Sequence, residues 1–368
     1  MVILQRTKNV IGAKYIRARI QNRLKSWKAG HYDMLVQETA QEAIAMIPTS
    51  ASTKTQEQRE KIFANLMLQG KLRQAVRFIT EREKAGIMLP TDINEKSGLP
   101  VIDALRSKHP PARVPEVEDL EEYDTLPEFV RVDITDETVE KVARRLSGAA
   151  GPGGTDATSL QHWLLRFGPA SQRLRHVVAD LVDWMSNESP PWAAMRALMA
   201  CRLLALNKWP GIRPIGVGEV WRRLITKVNL MVTVEAAKAV CGDNQLCVGL
   251  EAGVEGAIHA MRLIFEEHKM EEDWGFLLVD ARNAFNEGCR IAMLWTVRHL
   301  WPSGARFCFN VYRHWSILII RGADGSALFI MSREGVTQGD PMAMVAYGLM
   351  LLPLIKLLKK EHPDVSQP

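Results

Sequence analysis

Residues 333–341 read REGVTQGDP: two glycines bracket Val336-Thr337-Gln338, and an Asp340-Pro341 step leads into an apolar stretch. Glycine takes positive φ readily and lets another segment come close to its backbone. Asp is a good N-cap, and Pro at the first helical position gives up no needed donor. Asp340-Pro341 is therefore expected to start a helix through Met342, Ala346, Leu349 and Leu352. Caps and glycines leave one residue without a role, Gln338, expected to stand exposed at the hinge.

The sequence just upstream is β-rich. Ser316-Ile317-Leu318-Ile319-Ile320 and Ala327-Leu328-Phe329-Ile330-Met331 flank Gly322-Ala323-Asp324-Gly325, which predicts a hairpin. A helix is expected over about 288–300. Before it, Phe276-Leu277-Leu278-Val279 is a short apolar run ending at Asp280, the pattern of a buried strand. The C-terminal half thus reads strand, helix, hairpin, helix, an α+β arrangement with a carboxylate at a strand's end. Between Thr135 and His268 the periodicity predicts helices over about 136–147, 159–166, 171–186, 191–204, 219–240 and 252–269.

Charge divides the chain. Residues 1–90 hold 16 Lys/Arg against 7 Asp/Glu, and residues 91–140 hold 5 against 14. The first thirty residues carry eight basic side chains and no acid, with Ile16, Ile20, Leu24 and Trp27 at roughly helical spacing. That is a basic amphipathic helix, suited to an anionic partner such as nucleic acid or equally to a solvated face. A second helical segment is expected over 56–86. The expected organisation is a basic helical N-terminal region (1–87), an acidic Pro-rich linker (88–134) and a folded remainder (135–368).

Several function classes are disfavoured. No stretch approaches the roughly 20 apolar residues of a membrane span. Five cysteines without a CxxC pair argue for a reducing compartment and against a disulfide framework or zinc site. The loop Gly148–Gly154 lacks the Gly-Lys-Ser/Thr of a P-loop, and in Gly216-Val217-Gly218 the third glycine of a dinucleotide fingerprint is replaced by Trp221. The nine histidines fall into no metal spacing.

Asp280 alone is more often a turn residue than a ligand. Its combination with Phe285 five residues on, and with GVTQGDP some fifty residues later behind a hairpin, is specific. This constellation resembles the palm of reverse transcriptases, particularly those of non-LTR (LINE-type) retrotransposons. VDARNAF (279–285) is similar to the first palm motif and GVTQGDP (335–341) to the second. RPIGVGEVWRRLITK (213–227) resembles the finger motif, and SGAAGPGGTDA (147–157) the motif upstream of it. The resemblance covers about 140–368.

It implies fingers and part of a palm in an RNA-directed DNA polymerase, a nucleotidyltransferase working on an RNA template, a DNA primer and a deoxynucleoside triphosphate. Such transfer uses two Mg²⁺ ions that clamp the attacking oxygen and the leaving phosphate. Asp280 would bind them, assisted by the Ala281 carbonyl. Phe285 would sit under the incoming sugar and exclude a 2′-hydroxyl. Arg213 and Lys208 would neutralise the triphosphate. Gln338 would lie at the nascent base pair, with Gly335 and Gly339 letting the loop approach template and primer.

One departure matters. The family's third palm motif, aromatic-x-Asp-Asp, occurs nowhere in the 368 residues, and a thumb is also missing. One carboxylate cannot hold two Mg²⁺ ions against their mutual repulsion. The chain as it stands is expected to be a truncated, inactive polymerase portion, or a non-catalytic fragment that binds nucleic acid.

Overall fold

The computed structural model describes residues 13–45, 55–72, 75, 76, 78, 86–246, 248, 250–322 and 325–363. The chain divides into two compact units, Met1–Gly86 and Ile87–Pro368. No helix among the described residues is long and apolar enough to cross a membrane.

In the first unit, α1 (Ala13–Lys28) is the expected basic helix, and α2 (Tyr32–Ala45) turns back on it. Trp27 meets Tyr32 edge-on at 4.9 Å, and the buried Arg23 pairs with Glu38 at 3.6 Å. Helix α3 (Gln56–Leu68) starts at a capping box in which Thr55 and Gln58 each accept the other's backbone N–H. The expected continuation to residue 86 lies partly outside the described residues.

The second unit is mixed α/β with a mixed sheet. Its strands are β1 (Ile87–Met88), β2 (Cys201–Lys208), β3 (Gly211–Gly218), β4 (Ser316–Arg321) and β5 (Ala327–Ser332). β2 and β3 form a full antiparallel hairpin, Cys201 opposite Gly218 and Lys208 opposite Gly211. The other edge of β2 pairs with β1 antiparallel near Leu206 and with β4 parallel at Cys201 and Arg202. The β4–β5 hairpin forms where the Asp-Gly turn predicts it.

Two expectations fail here. Residues 201–204 are a strand, not the end of a helix: the helix Trp192–Met199 stops before them, and Cys201–Leu206 then alternates buried and half-exposed with period two. Phe276–Val279 is not a strand. It has no ladder partner, and Leu277, Leu278 and Val279 are 85%, 77% and 84% exposed. An apolar run states a wish to be buried but names no neighbour to do it.

Residues 88–134, read as a linker, begin as part of the sheet layer. Helix α4 (Val101–Ser107) buries Val101 and Leu105 against Leu203, Ile212, Leu318 and Ile330, the second of two cores. The acidic part crosses the helices beyond: Trp295 Nε1–H donates to the Glu121 carbonyl, Lys356 pairs with Glu121, and Arg298 and Arg306 each stack on the Phe129 ring at 4.0 Å.

The larger core is helical. It is built by α5 (Asp136–Arg144), α6 (Ala157–Leu165), α7 (Pro169–Asn187), α8 (Trp192–Met199), α9 (Val220–Cys241) and the elements that follow Arg290. Thr135 and Asp156 cap α5 and α6 through their side chains. After α10 (Gly253–His268) and the short α11 (Ala284–Glu287) come α12 (Arg290–Leu300) and α13 (Pro302–Tyr312), then α14 (Ala343–Glu361). Trp301, Phe307 and Tyr312 are the largest side chains this core buries completely.

Candidate functional site

Segments 280–288 and β3 meet at the 333–341 loop, and a further segment, 147–157, packs on the start of α9 just after β3. The Val336 N–H donates to the Phe285 carbonyl at 2.6 Å, and the Gly335 N–H donates to the Gly288 carbonyl at 2.7 Å. On the other side, the Gly216 N–H of β3 donates to the Gln338 carbonyl at 2.8 Å. At the start of α9, the Glu219 carboxylate accepts the Gly153 N–H, and Arg223 donates to the Ser147 carbonyl at 2.9 Å. Burial raises the Glu219 carboxyl above its usual range.

Glycine is required at both ends of the loop. Gly335 has φ +57°, and a Cβ there would stand 2.1 Å from the Phe285 carbonyl oxygen. Gly339 has φ +111°, and its Cβ would stand 2.5 Å from the Gly216 carbonyl oxygen. Both residues approach the chain's own backbone, which joins the β2–β3 hairpin, the 280–288 loop and the 333–341 loop.

Two buried charges hold the loop. Arg290, 5% exposed, donates to the carbonyls of Ser332, Glu334 and Gly335 and to the Ser332 hydroxyl, at 2.9–3.1 Å. Glu334, 3% exposed, accepts the backbone N–H groups of Arg290 and Arg113. Further along, Arg222 and Asp340 form an ion pair whose side chains are 2% and 1% exposed, and the Tyr312 hydroxyl donates to Asp340 Oδ2 at 2.7 Å. Asp340 raises the Arg222 guanidinium above its ordinary range against the pull of burial, while burial and Asp340 push the Tyr312 hydroxyl up.

Asp340 is not the N-cap the sequence suggests: the cap position of α14 is Met342, which has no side-chain cap. The Asp340 Oδ1 accepts the Met342 N–H at 3.2 Å, but α14 begins only at Ala343, and Oδ2 belongs to the ion pair. Gln338 is half-buried rather than exposed, bordering a crevice with Thr337, Asn286, Pro214, Ser332 and His109. The Thr337 hydroxyl is buried there and has no hydrogen-bond partner.

The remaining sequence-derived residues divide. Phe285 is half-buried, its ring 5.1 Å from that of Tyr347. Asp280 is exposed, with Ala281 beside it, and lies close enough to Tyr347 to raise that hydroxyl together with burial. These two acceptors do not fit a two-ion site by themselves, and among the described residues no group of three His, Cys, Asp or Glu side chains is placed to share a metal. Arg213 stands apart: it projects from the half-exposed face of β3, opposite the face of Pro214 and Gly216 that borders the crevice. Lys208 is exposed at the hairpin's end.

Residues given no role in the sequence analysis also enter the site. Asn283, at φ +53°, donates from Nδ2 to the Lys108 carbonyl at 2.8 Å and to Glu287 at 3.0 Å. Arg113 donates to the Glu287 carbonyl. The 108–113 segment thus closes over the 280–288 loop, and its acidic, Pro-rich surroundings gave no sign of that. No protein-family model matches the chain, and no curated protein matches it significantly.

Proposed function

We propose that this chain supplies the fingers and part of the palm of an RNA-directed DNA polymerase, and that on its own it grips a template–primer without extending it. One observation carries the reading: the three segments that resemble finger and palm motifs are joined by direct backbone hydrogen bonds, Gly216 to Gln338 and Val336 to Phe285. The two bonds bring together segments 122 and 51 residues apart in sequence.

In this reading Gln338 stands at the nascent base pair, and the Phe285 ring, backed by Tyr347, faces the sugar. Asp280 is the carboxylate that a metal-assisted transfer starts from. A Mg²⁺ pair supplies charge neutralisation at the phosphate in this chemistry. The acceptors described here fall short of holding one, so gripping is assigned to the chain and transfer is not.

The test is fluorescence anisotropy with a labelled RNA–DNA hybrid bearing a recessed primer end. Binding is expected, weakening steeply with salt as phosphate contacts do. Gln338→Ala is expected to weaken it about tenfold, the scale of one lost hydrogen bond at a desolvated contact. Absence of binding, or affinity indifferent to Gln338, refutes the proposal.

A further inference from the structure

Residues 274–281, in the second unit, carry no helix, turn or strand, and no hydrogen bond joins their backbone to another described residue. One side of the segment is held. The Trp274 ring stacks on His268 at 4.8 Å, the Phe276 ring lies over Phe265 at 6.4 Å, and Trp274 and Phe276 meet edge-on at 4.7 Å. Trp274 and Phe276 therefore turn towards α10, and the backbone donors and acceptors along the segment are left without partners among the described residues.

Much apolar surface accompanies that open edge. Helix α10 buries none of its side chains. Val254, Ile258 and Phe265 recur along one stripe of it at helical spacing and are 51%, 60% and 50% exposed. With Leu277, Leu278 and Val279 they leave on the order of 700 Å² in water, beyond the roughly 300–600 Å² of a monomer's largest patch. Each partner of a stable interface buries about 800 Å². An unpaired strand edge beside such a face is a template for another strand.

Charge identifies that strand. The acidic run Glu271-Glu272-Asp273 precedes the segment and Arg282 follows it. Glu271 pairs with His268 at 2.8 Å, while Glu272, Asp273 and Arg282 are exposed. We propose that the occupant is a second copy of this chain, its 274–280 segment running antiparallel to the first about a two-fold axis. Antiparallel copies bring the acidic end of each beside Arg282 of the other, whereas parallel copies set like charges side by side. A two-fold axis through an antiparallel pair places one residue opposite itself. With Leu277 on the axis, Phe276 stands opposite Leu278 and Glu272 opposite Arg282, and both α10 helices fall on one face. The axis closes the assembly at two copies. This pairing does not depend on the polymerase reading.

Sedimentation velocity of the full chain, from nanomolar to high micromolar concentration, reads the association directly. A monomer–dimer equilibrium is expected. Leu277→Lys sets two ammonium groups against each other at the axis and is expected to abolish the dimer. Glu272→Arg and Arg282→Glu are each expected to weaken it about tenfold. Together they are expected to restore it, which a partner other than a second copy does not explain. These positions are exposed in the single chain, so the variants fold; melts of dilute protein, where the monomer prevails, check this. A chain that is monomeric at high micromolar concentration overturns the proposal, as does a dimer that survives Leu277→Lys. Assembly beyond two copies, or a charge swap that leaves the dimer unrestored, overturns it as well.

Discussion

Arg222 and Asp340 are each other's counter-charge in a place water does not reach. Removing one partner of such a pair strands the other, at about 3–5 kcal/mol. Asp340→Leu is expected to cost on that scale in urea denaturation, and the double variant Arg222→Met/Asp340→Leu to recover much of the loss; a single variant within 1 kcal/mol of the parent, roughly a surface-pair effect, contradicts the assignment. His109 offers a second test. Burial lowers its imidazole below the ordinary 6.5, its contact with the Leu105 carbonyl opposes this, and Lys108 adds to it. Below that pH the unfolded chain binds the proton and the folded chain resists it, so stability falls on acidification through 6.5 and below. His109→Gln is expected to flatten the slope of stability against pH between about 5 and 7. An unchanged slope rules the linkage out.

Among the elements, helices with side-chain caps and clean periodicity were legible: Thr135 opens α5, Asp156 opens α6, and α9 runs one residue from where its apolar spacing puts it. The hairpin around Asp324-Gly325 was legible from its turn. β2 and β3 were not. Cys201–Lys208 follows a helix without punctuation, and Arg213-Pro214-Ile215-Gly216-Val217-Gly218 carries a proline and two glycines that argue against a strand. What makes them strands is each other's ladder and α4 packed against them, all non-local. Phe276–Val279 shows the opposite error, since its composition promised burial that the fold does not provide. Of the site, the need for glycine at 335 and 339 was legible, whereas Gln338 is half-buried where exposure was expected, and Arg290 and Glu334 act through tertiary contacts with no local pattern. The element-scale prediction follows from exposure. Leu278→Ser is expected to cost under about 0.5 kcal/mol, while Leu203→Ala, 2% exposed in the sheet core, costs about 2–5 kcal/mol. Equal costs in denaturant melts would restore the buried strand.

At the scale of the molecule, charge and fold are distributed differently. The basic excess lies in the first unit, where Lys14, Arg17, Arg19, Lys25 and Lys28 stand along α1. The proposed grip lies in the second. A chain of residues 87–368 is therefore expected to keep its preference for a recessed RNA–DNA hybrid while the slope of log affinity against log salt becomes shallower, by close to one for each phosphate contact given up. A truncated chain with an unchanged slope and no preference would assign all binding to generic charge.

If the chain grips a template–primer as proposed, the 333–341 loop meets the nascent base pair. The most direct measurement places 4-thiouridine in the template RNA opposite the primer's 3′ end, irradiates the complex of the full chain, and identifies the joined peptide by mass spectrometry. A crosslink within 333–341, at or beside Gln338, is the expected result. Crosslinks confined to residues 1–86, with none at 333–341, would contradict it.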